Sequence, residues 1–292
     1  MANFNTSDTQ ILTNMLQEAM FTQSEKSIAD KVFKLYDMSG TPGLTAQIPI
    51  YPEIAAQEVA ETAEVTDTAF SVTQVDVTAA EVQARVDVGD LLNESTSRNT
   101  ASDCGQLIGS AIGEKVDTNA FALFREDTIR AGGGTMVGTT GVAVTPSLIL
   151  EAVYNLRAVN APTDASGDYH CVLAPGQAYD IARLLTAAGS STSTSVLSDV
   201  GNQLLSSSAF VGRIYNVKIF SSSAIAADSV ATDINGCVFS PNAFAHIVKR
   251  PLRIESQRDA SLRHTEYVGS TAVKSALVKG TYAVVVKGLK NI

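Results

Sequence analysis

Apolar positions recur at helical spacing from the start of the chain: Ile11, Leu12, Met15, Leu16, Ala19 and Met20, then Ile28, Val32 and Leu35. Ser7 with Gln10 three residues on fits a capping box. The period predicts one long or two shorter amphipathic helices, ended by Met38-Ser39-Gly40-Thr41-Pro42-Gly43, which carries both a glycine cap and a proline breaker. The pattern then switches to alternation. Leu44, Ala46, Ile48 and Ile50 share one strand face, and Val82, Ala84, Val86 and Val88 alternate with Glu81, Gln83, Arg85 and Asp87. The stretch between them suggests the connection of a long two-stranded hairpin. A hairpin with so little apolar surface is not stable alone and has to pack on another element or another subunit.

Between about Thr100 and Ile129 the helical period returns, with Cys104, Leu107, Ile108, Ala111, Ile112, Val116, Ala120, Leu123 and Phe124 on one stripe, ended by Gly132-Gly133-Gly134. A helix of about 30 residues would run roughly 45 Å, long for a chain of this size. A compact α/β segment follows. Thr145 and Pro146 start a helix with Ile149, Ala152, Val153, Leu156 and Val159 on one side. A short apolar strand at Tyr169 to Ala174 leads into a Pro175-started helix, and the Ser/Thr run from Gly189 to Ser195 reads as a loop. Strands are expected at Arg213 to Phe220 and Cys237 to Ser240, a short helix at Pro241 to His246, and a strand-rich end over 247–287 in which Ala283 to Val286 is apolar.

Composition adds that this is a globular chain: 292 residues, 45% hydrophobic, 17% charged, without tryptophan. Cys104, Cys171 and Cys237 are odd in number and far apart, which argues against a disulfide scaffold or structural zinc site. The first residues lack a basic and apolar leader, and no window approaches the roughly 18 apolar residues of a membrane span, so the expectation is a soluble, reduced, intracellular product. Charge is uneven. Residues 1–130 hold 20 acidic and 8 basic side chains, whereas residues 131–292 hold 10 acidic and 13 basic. The acidic half is no polyanion-binding surface. Glu53, Glu58, Glu61, Glu64 and Asp67 crowd the hairpin connection without a basic neighbour, and the only local counterpart is the segment with Lys249, Arg250, Arg253, Arg258 and Arg263.

A search for chemistry returns little. The glycines at 132–141 lack the residues of a phosphate loop and fit a helix cap. His170 and Cys171 are adjacent in a strand and point to opposite faces, which opposes a nucleophilic pair, and His246 and His264 have no motif around them. Buried cysteines and surface histidines are the expected arrangement. The acidic run has no calcium-loop pattern. An amphipathic arm, an extended hairpin and an overlong helix all need partners, which points to a self-associating structural protein.

The order of these elements resembles the major capsid protein of tailed bacteriophages, an α+β fold shared with encapsulins and the herpesvirus capsid floor. Local likeness lies in Phe210-Val211-Gly212-Arg213-Ile214-Tyr215-Asn216-Val217-Lys218-Ile219-Phe220-Ser221, in Gly236 to Pro241 with Ala243-Phe244-Ala245 as a strand into a short helix, in Arg253 to Asp259 and Tyr267 to Val273, and in Leu156 to Arg183. The resemblance implies an N-terminal arm at 1–43, an extended loop at 44–94, a peripheral domain with the spine helix at 95–139 and 247–292, and an axial domain at 140–246. It implies a shell protein of the virion, made in the host cytoplasm, that forms pentamers and hexamers around double-stranded DNA. Scaffolding, portal and decoration proteins would be its partners, with no cofactor, metal, membrane or catalysis. Glu58, Glu61, Glu64 and Asp67 would face Arg250, Arg253, Arg258 and Arg263 across subunits as a hypothesis beside that resemblance. No lysine occurs between Lys34 and Lys115, so the isopeptide cross-link that some members make from an extended-loop lysine is not expected. An encapsulin-type compartment is the alternative, and a small-molecule enzyme a more distant one.

Overall fold

The computed structural model describes residues 6–51, 54, 56–59, 70–95, 100–188, 210–226 and 233–290. It is built on two larger sheets and one two-stranded ribbon. Helix α1 (Thr6–Lys26) is followed by the single turn α2 (Ala29–Val32) and strand β1 (Lys34–Asp37). The expected helix thus ends before Leu35, which lies in β1 and is exposed. The reason is tertiary: β1 pairs in parallel with Ala245 to Val248, and that ladder overrides the helical period.

The N-terminal helix lies on the spine. Helix α4 (Thr100–Phe121) buries Cys104, Ile108, Ile112, Val116 and Ala120, whereas Leu107 and Ala111 of the expected stripe face solvent. Beside that stripe run Gly105, Gly109 and Gly113, which meet Met15, Ala19 and Gln23 of α1 in the same order along both helices. A Cβ at Gly105 would stand 2.6 Å from the Met15 carbonyl oxygen, so the absence of side chains lets the two backbones touch. Asp117, buried in α4, accepts bonds from the Ser27 hydroxyl and from the N–H groups of Ile28 and Ala29, fixing the turn from α1 into α2. Burial pushes its carboxyl above the ordinary value despite these donors.

The spine is shorter than expected. It changes at Phe121 into a 3-10 turn (Ala122–Phe124), then Arg125 is extended and α5 (Glu126–Ala131) resumes, capped by Gly132. This break turns Phe121 and Phe124 into a cluster with Phe33, Phe239 and Phe244, where Phe33 stacks on Phe244 at 4.8 Å. These five rings join the arm, the spine and both sheets in one core.

The four-stranded sheet has the order β1-β10-β11-β4, made by the long hairpin β10 (Phe244–Asp259) and β11 (His264–Leu277) with β4 (Ala80–Gly89) antiparallel at its edge. Ile108, Ile112 and Val116 of the spine pack against Val82, Ala84, Val86, Leu252, Ile254 and Val273. Strand β4 is therefore a strand of this sheet and not the second arm of the extended hairpin. That arm is β3 (Thr73–Thr78), which pairs with β2 (Thr45–Ile50) from Thr45 opposite Thr78 to Ile50 opposite Thr73.

The six-stranded sheet has the order β5-β12-β9-β6-β8-β7. Its strands are β5 (Thr135–Val137), β6 (Tyr169–Leu173), β7 (Phe210–Ile214), β8 (Val217–Ser221), β9 (Asp233–Phe239) and β12 (Ala283–Leu289). Helices α6 (Pro146–Ala158) and α7 (Pro175–Ala188) cover one face through Ile149, Ala152, Val153, Leu156 and Ile181. Three expectations are corrected here. Residues 213–220 are not one strand, because Tyr215 and Asn216 adopt φ of 52° and 62° and turn the chain into the β7–β8 hairpin. Residues 241–246 hold no helix; after a turn, Phe244 opens β10. Strands β5 and β12, grouped by sequence with the spine, close the edge of this sheet. Among the described residues no helix is long and apolar enough to cross a membrane.

Candidate assembly surface

Cys104, Cys171 and Cys237 are free and buried, and burial holds the Cys171 and Cys237 thiols far above their ordinary range. His170 and His246 are buried, against the expectation of surface histidines. Both hold the short α2 segment: His170 Nδ1 lies 2.9 Å from the Val32 carbonyl oxygen, and His246 Nε2 lies 3.0 Å from Asp30 Oδ1. His246 Nδ1 is also 2.8 Å from Ser275 Oγ, so the imidazole links Asp30 to Ser275, but with its nitrogens exchanged relative to a serine hydrolase relay, where Nδ1 faces the carboxylate and Nε2 the hydroxyl. Ser275 is buried within the β10–β11 ladder, opposite His246. The arrangement fastens α2 to the sheet.

A second polar group ties the α/β unit. Lys218 Nζ is 2.5 Å from Asp164 Oδ2, and Arg213 reaches Asp168 at 2.5 Å. The Lys218 ammonium and the Ser166 amide hold the Asp164 carboxyl down at about 2. These groups lock the loop before β6 to the β7–β8 hairpin.

What remains exposed is apolar surface on the elements that project. Just beyond the Ile50–Thr73 end of the extended ribbon, Tyr51 and Phe70 stack at 6.1 Å while each stays about 60% exposed (62% and 60%), with Ile54 and Val72 open nearby in sequence, and Leu44 is open at the ribbon's opposite end. Within the ribbon, Ile48 and Val77 are buried on Ala245 and Ile247. Leu91 and Leu262 stand open where α3 (Asp90–Ser95) meets the turn between β10 and β11, and Tyr154 of α6 and Phe21 of α1 are similarly uncovered.

Of the acidic positions singled out by sequence, Glu58 is exposed, while Glu61, Glu64 and Asp67 lie outside the described residues. The arginines do not form one patch. Arg250 pairs with Glu81 of β4, and Arg258 grips Asp90, with one nitrogen 2.7 Å from Oδ2; this pair draws the Asp90 carboxyl below its ordinary value. Arg253 reaches Glu255 at 3.3 Å and Ser270. Arg263 sits in the hairpin turn with φ of 53°, and its carbonyl accepts the Asp90 N–H. The exposed aromatic stack was missed by sequence reasoning. The partners Tyr51 and Phe70 are 19 positions apart and become neighbours only through the β2–β3 register.

No protein-family description matches the chain, and no curated protein matches its sequence. Solved structures do. The capsid of Ralstonia phage GP4 superposes with a TM-score of 0.70 at 11% identity, covering 92% of each chain. The capsid of cyanophage P-SCSP1u gives 0.63 at 16% identity over 91% of this chain and 89% of that one. An encapsulin complex from Synechococcus elongatus gives 0.59 at 12% identity over 88% and 85%. The chain has the fold that phage capsid proteins share with encapsulins.

Proposed function

We propose that the chain, built on the fold of phage capsids and encapsulins, is the shell subunit of a tailed bacteriophage head, assembling as pentamers and hexamers around double-stranded DNA and catalysing no reaction. The observation that supports this most is an exposed aromatic stack at the end of a ribbon that is itself anchored on the sheet, a surface that a neighbouring copy would cover. In this reading residues 1–43 are the arm, the β2–β3 ribbon and the acidic segment between its strands reach over a neighbour, the four-stranded sheet with the spine is the peripheral unit, and the six-stranded sheet with α6 and α7 is the axial unit.

The inter-subunit role of the arginines narrows. Arg250, Arg253 and Arg258 are each engaged by a carboxylate of their own chain, so Arg263 is the better candidate to meet Glu58, Glu61, Glu64 and Asp67 of a neighbour. Net acidity suits a wall that encloses DNA without gripping it. Scaffolding, portal and decoration proteins would be its other partners, with synthesis in the host cytoplasm. The encapsulin reading is kept because an encapsulin complex superposes on the chain with a TM-score of 0.59. The contents of nuclease-treated particles separate the two: protected double-stranded DNA is expected, and a protein cargo without DNA would transfer the chain to the compartment class.

A further inference from the structure

The outer face of the four-stranded sheet, opposite the spine, carries a side-chain cluster that the shell reading does not use. Asp87 in β4 is directly opposite Glu266 in β11, and His264 lies two residues along the same strand, so all three share one face. Each offers one ligand atom, and these atoms lie within 4.8 Å of one another. We propose that Asp87, His264 and Glu266 bind a divalent first-row cation, Zn²⁺ by donor type, and that the Arg85 guanidinium competes with it for the two carboxylates.

Four observations support the site. A cation already bridges the carboxylates: Arg85 Nε is 2.8 Å from Asp87 Oδ1, and its NH2 nitrogen is 2.9 Å from Glu266 Oε1. His264 Nε2 is 3.2 Å from that same Glu266 oxygen, so the imidazole is aimed at the point where the carboxylates converge. The residue opposite His264 is Gly89, beside which a Cβ would meet nothing within 4 Å, leaving room for the ring to turn and for a water on the metal. Finally, four carboxylates act around this imidazole, from Asp87, Asp90, Asp259 and Glu266, against three guanidiniums, from Arg85, Arg258 and Arg263. Leaving the imidazole aside, the carboxylates outnumber the guanidiniums by one.

Donor type selects the ion. One imidazole nitrogen with two carboxylate oxygens suits Zn²⁺ and its neighbours rather than Mg²⁺ or Ca²⁺, which take oxygen ligands. Tetrahedral Zn²⁺ with bonds of about 2.1 Å wants donors about 3.4 Å apart, so the cluster has to close by about 1 Å. Side-chain rotation achieves that, because the β4–β11 ladder already fixes the backbones. Arg85 is half exposed, and its long side chain can leave to solvent as the metal enters.

The test is titration of the whole chain with ZnCl₂ at neutral pH by calorimetry, with the ligand-field spectrum of bound Co²⁺ reporting imidazole coordination. One equivalent per chain is expected. His264→Ala should weaken binding at least about tenfold, and Arg85→Met should tighten it by removing the competitor. Asp87→Asn, at an exposed position, repeats the loss should the histidine variant fold poorly. Absence of binding, or binding unchanged in both His264→Ala and Asp87→Asn, overturns the site. Unchanged affinity in Arg85→Met overturns the competition.

Discussion

Gly109 has no room for a side chain, because a Cβ there would overlap the Ala19 carbonyl of α1. Gly109→Ala should lower stability by about 1–3 kcal/mol as α1 is pushed off the spine, whereas Gly113→Ala, with its nearest neighbour 3.5 Å away, should be tolerated. Thermal unfolding of the two variants distinguishes close approach from a general intolerance of α4 to substitution. Acid adds a residue-level test. The folded Asp164 carboxyl titrates near 2 against an ordinary 3.8, so its contribution is present above pH 4 and is lost as pH falls from about 4 to 2. In Asp164→Asn that segment of the acid-unfolding curve should flatten. Little of this was legible beforehand. A glycine every fourth residue carries no hydrophobic signal, and pattern reading marked the stripe of Ile108 and Ile112 while passing over Gly105 and Gly109 beside it.

At the scale of elements, long periodic segments were readable and their partners were not. Helix α6, β6 and the helix after it fall where the apolar spacing puts them, and the spine begins there but breaks at Phe121. Strand β3 escaped notice because Thr73–Thr78 holds two apolar residues, Val75 and Val77, so the stronger alternation of 82–88 was taken for its place. The β7–β8 turn was hidden for a related reason: Tyr215-Asn216 lacks the glycine that usually marks a two-residue hairpin, although asparagine tolerates the left-handed region. Asn216→Val should cost on the order of 1 kcal/mol, read as a shift in denaturant midpoint. The five-phenylalanine cluster is the larger stake. Phe33 touches four of its rings, and Phe33→Ala should cost about 3–5 kcal/mol and loosen the arm from both sheets together. Loss of hydrogen-exchange protection confined to α1 would show instead that the arm is held by α4 alone.

For the whole molecule, the sequence conveyed that several elements are unfinished alone, and the structure shows where the unfinished surface lies. The ribbon is anchored by Ile48 and Val77 and offers Tyr51 and Phe70 beyond its Ile50–Thr73 end. A contact of this kind is absent from the energetics of the single chain. Replacing both rings, Tyr51→Ser with Phe70→Ser, should therefore leave the unfolding temperature of the subunit nearly unchanged while reducing particle yield. The charged candidates were less legible than the apolar ones, because strand register, not sequence proximity, decides that Arg250 meets Glu81 and Arg258 meets Asp90.

The central claim, that this chain completes itself by association with copies of itself, is tested most directly by the mass of the purified full-length chain in light scattering across a concentration series. Closed or curved assemblies of megadalton mass, many times the 30.7 kDa subunit, are the predicted result. A species that stays at the subunit mass at every concentration, with Tyr51 and Phe70 as accessible to solvent quenchers as they are in the isolated chain, would contradict it.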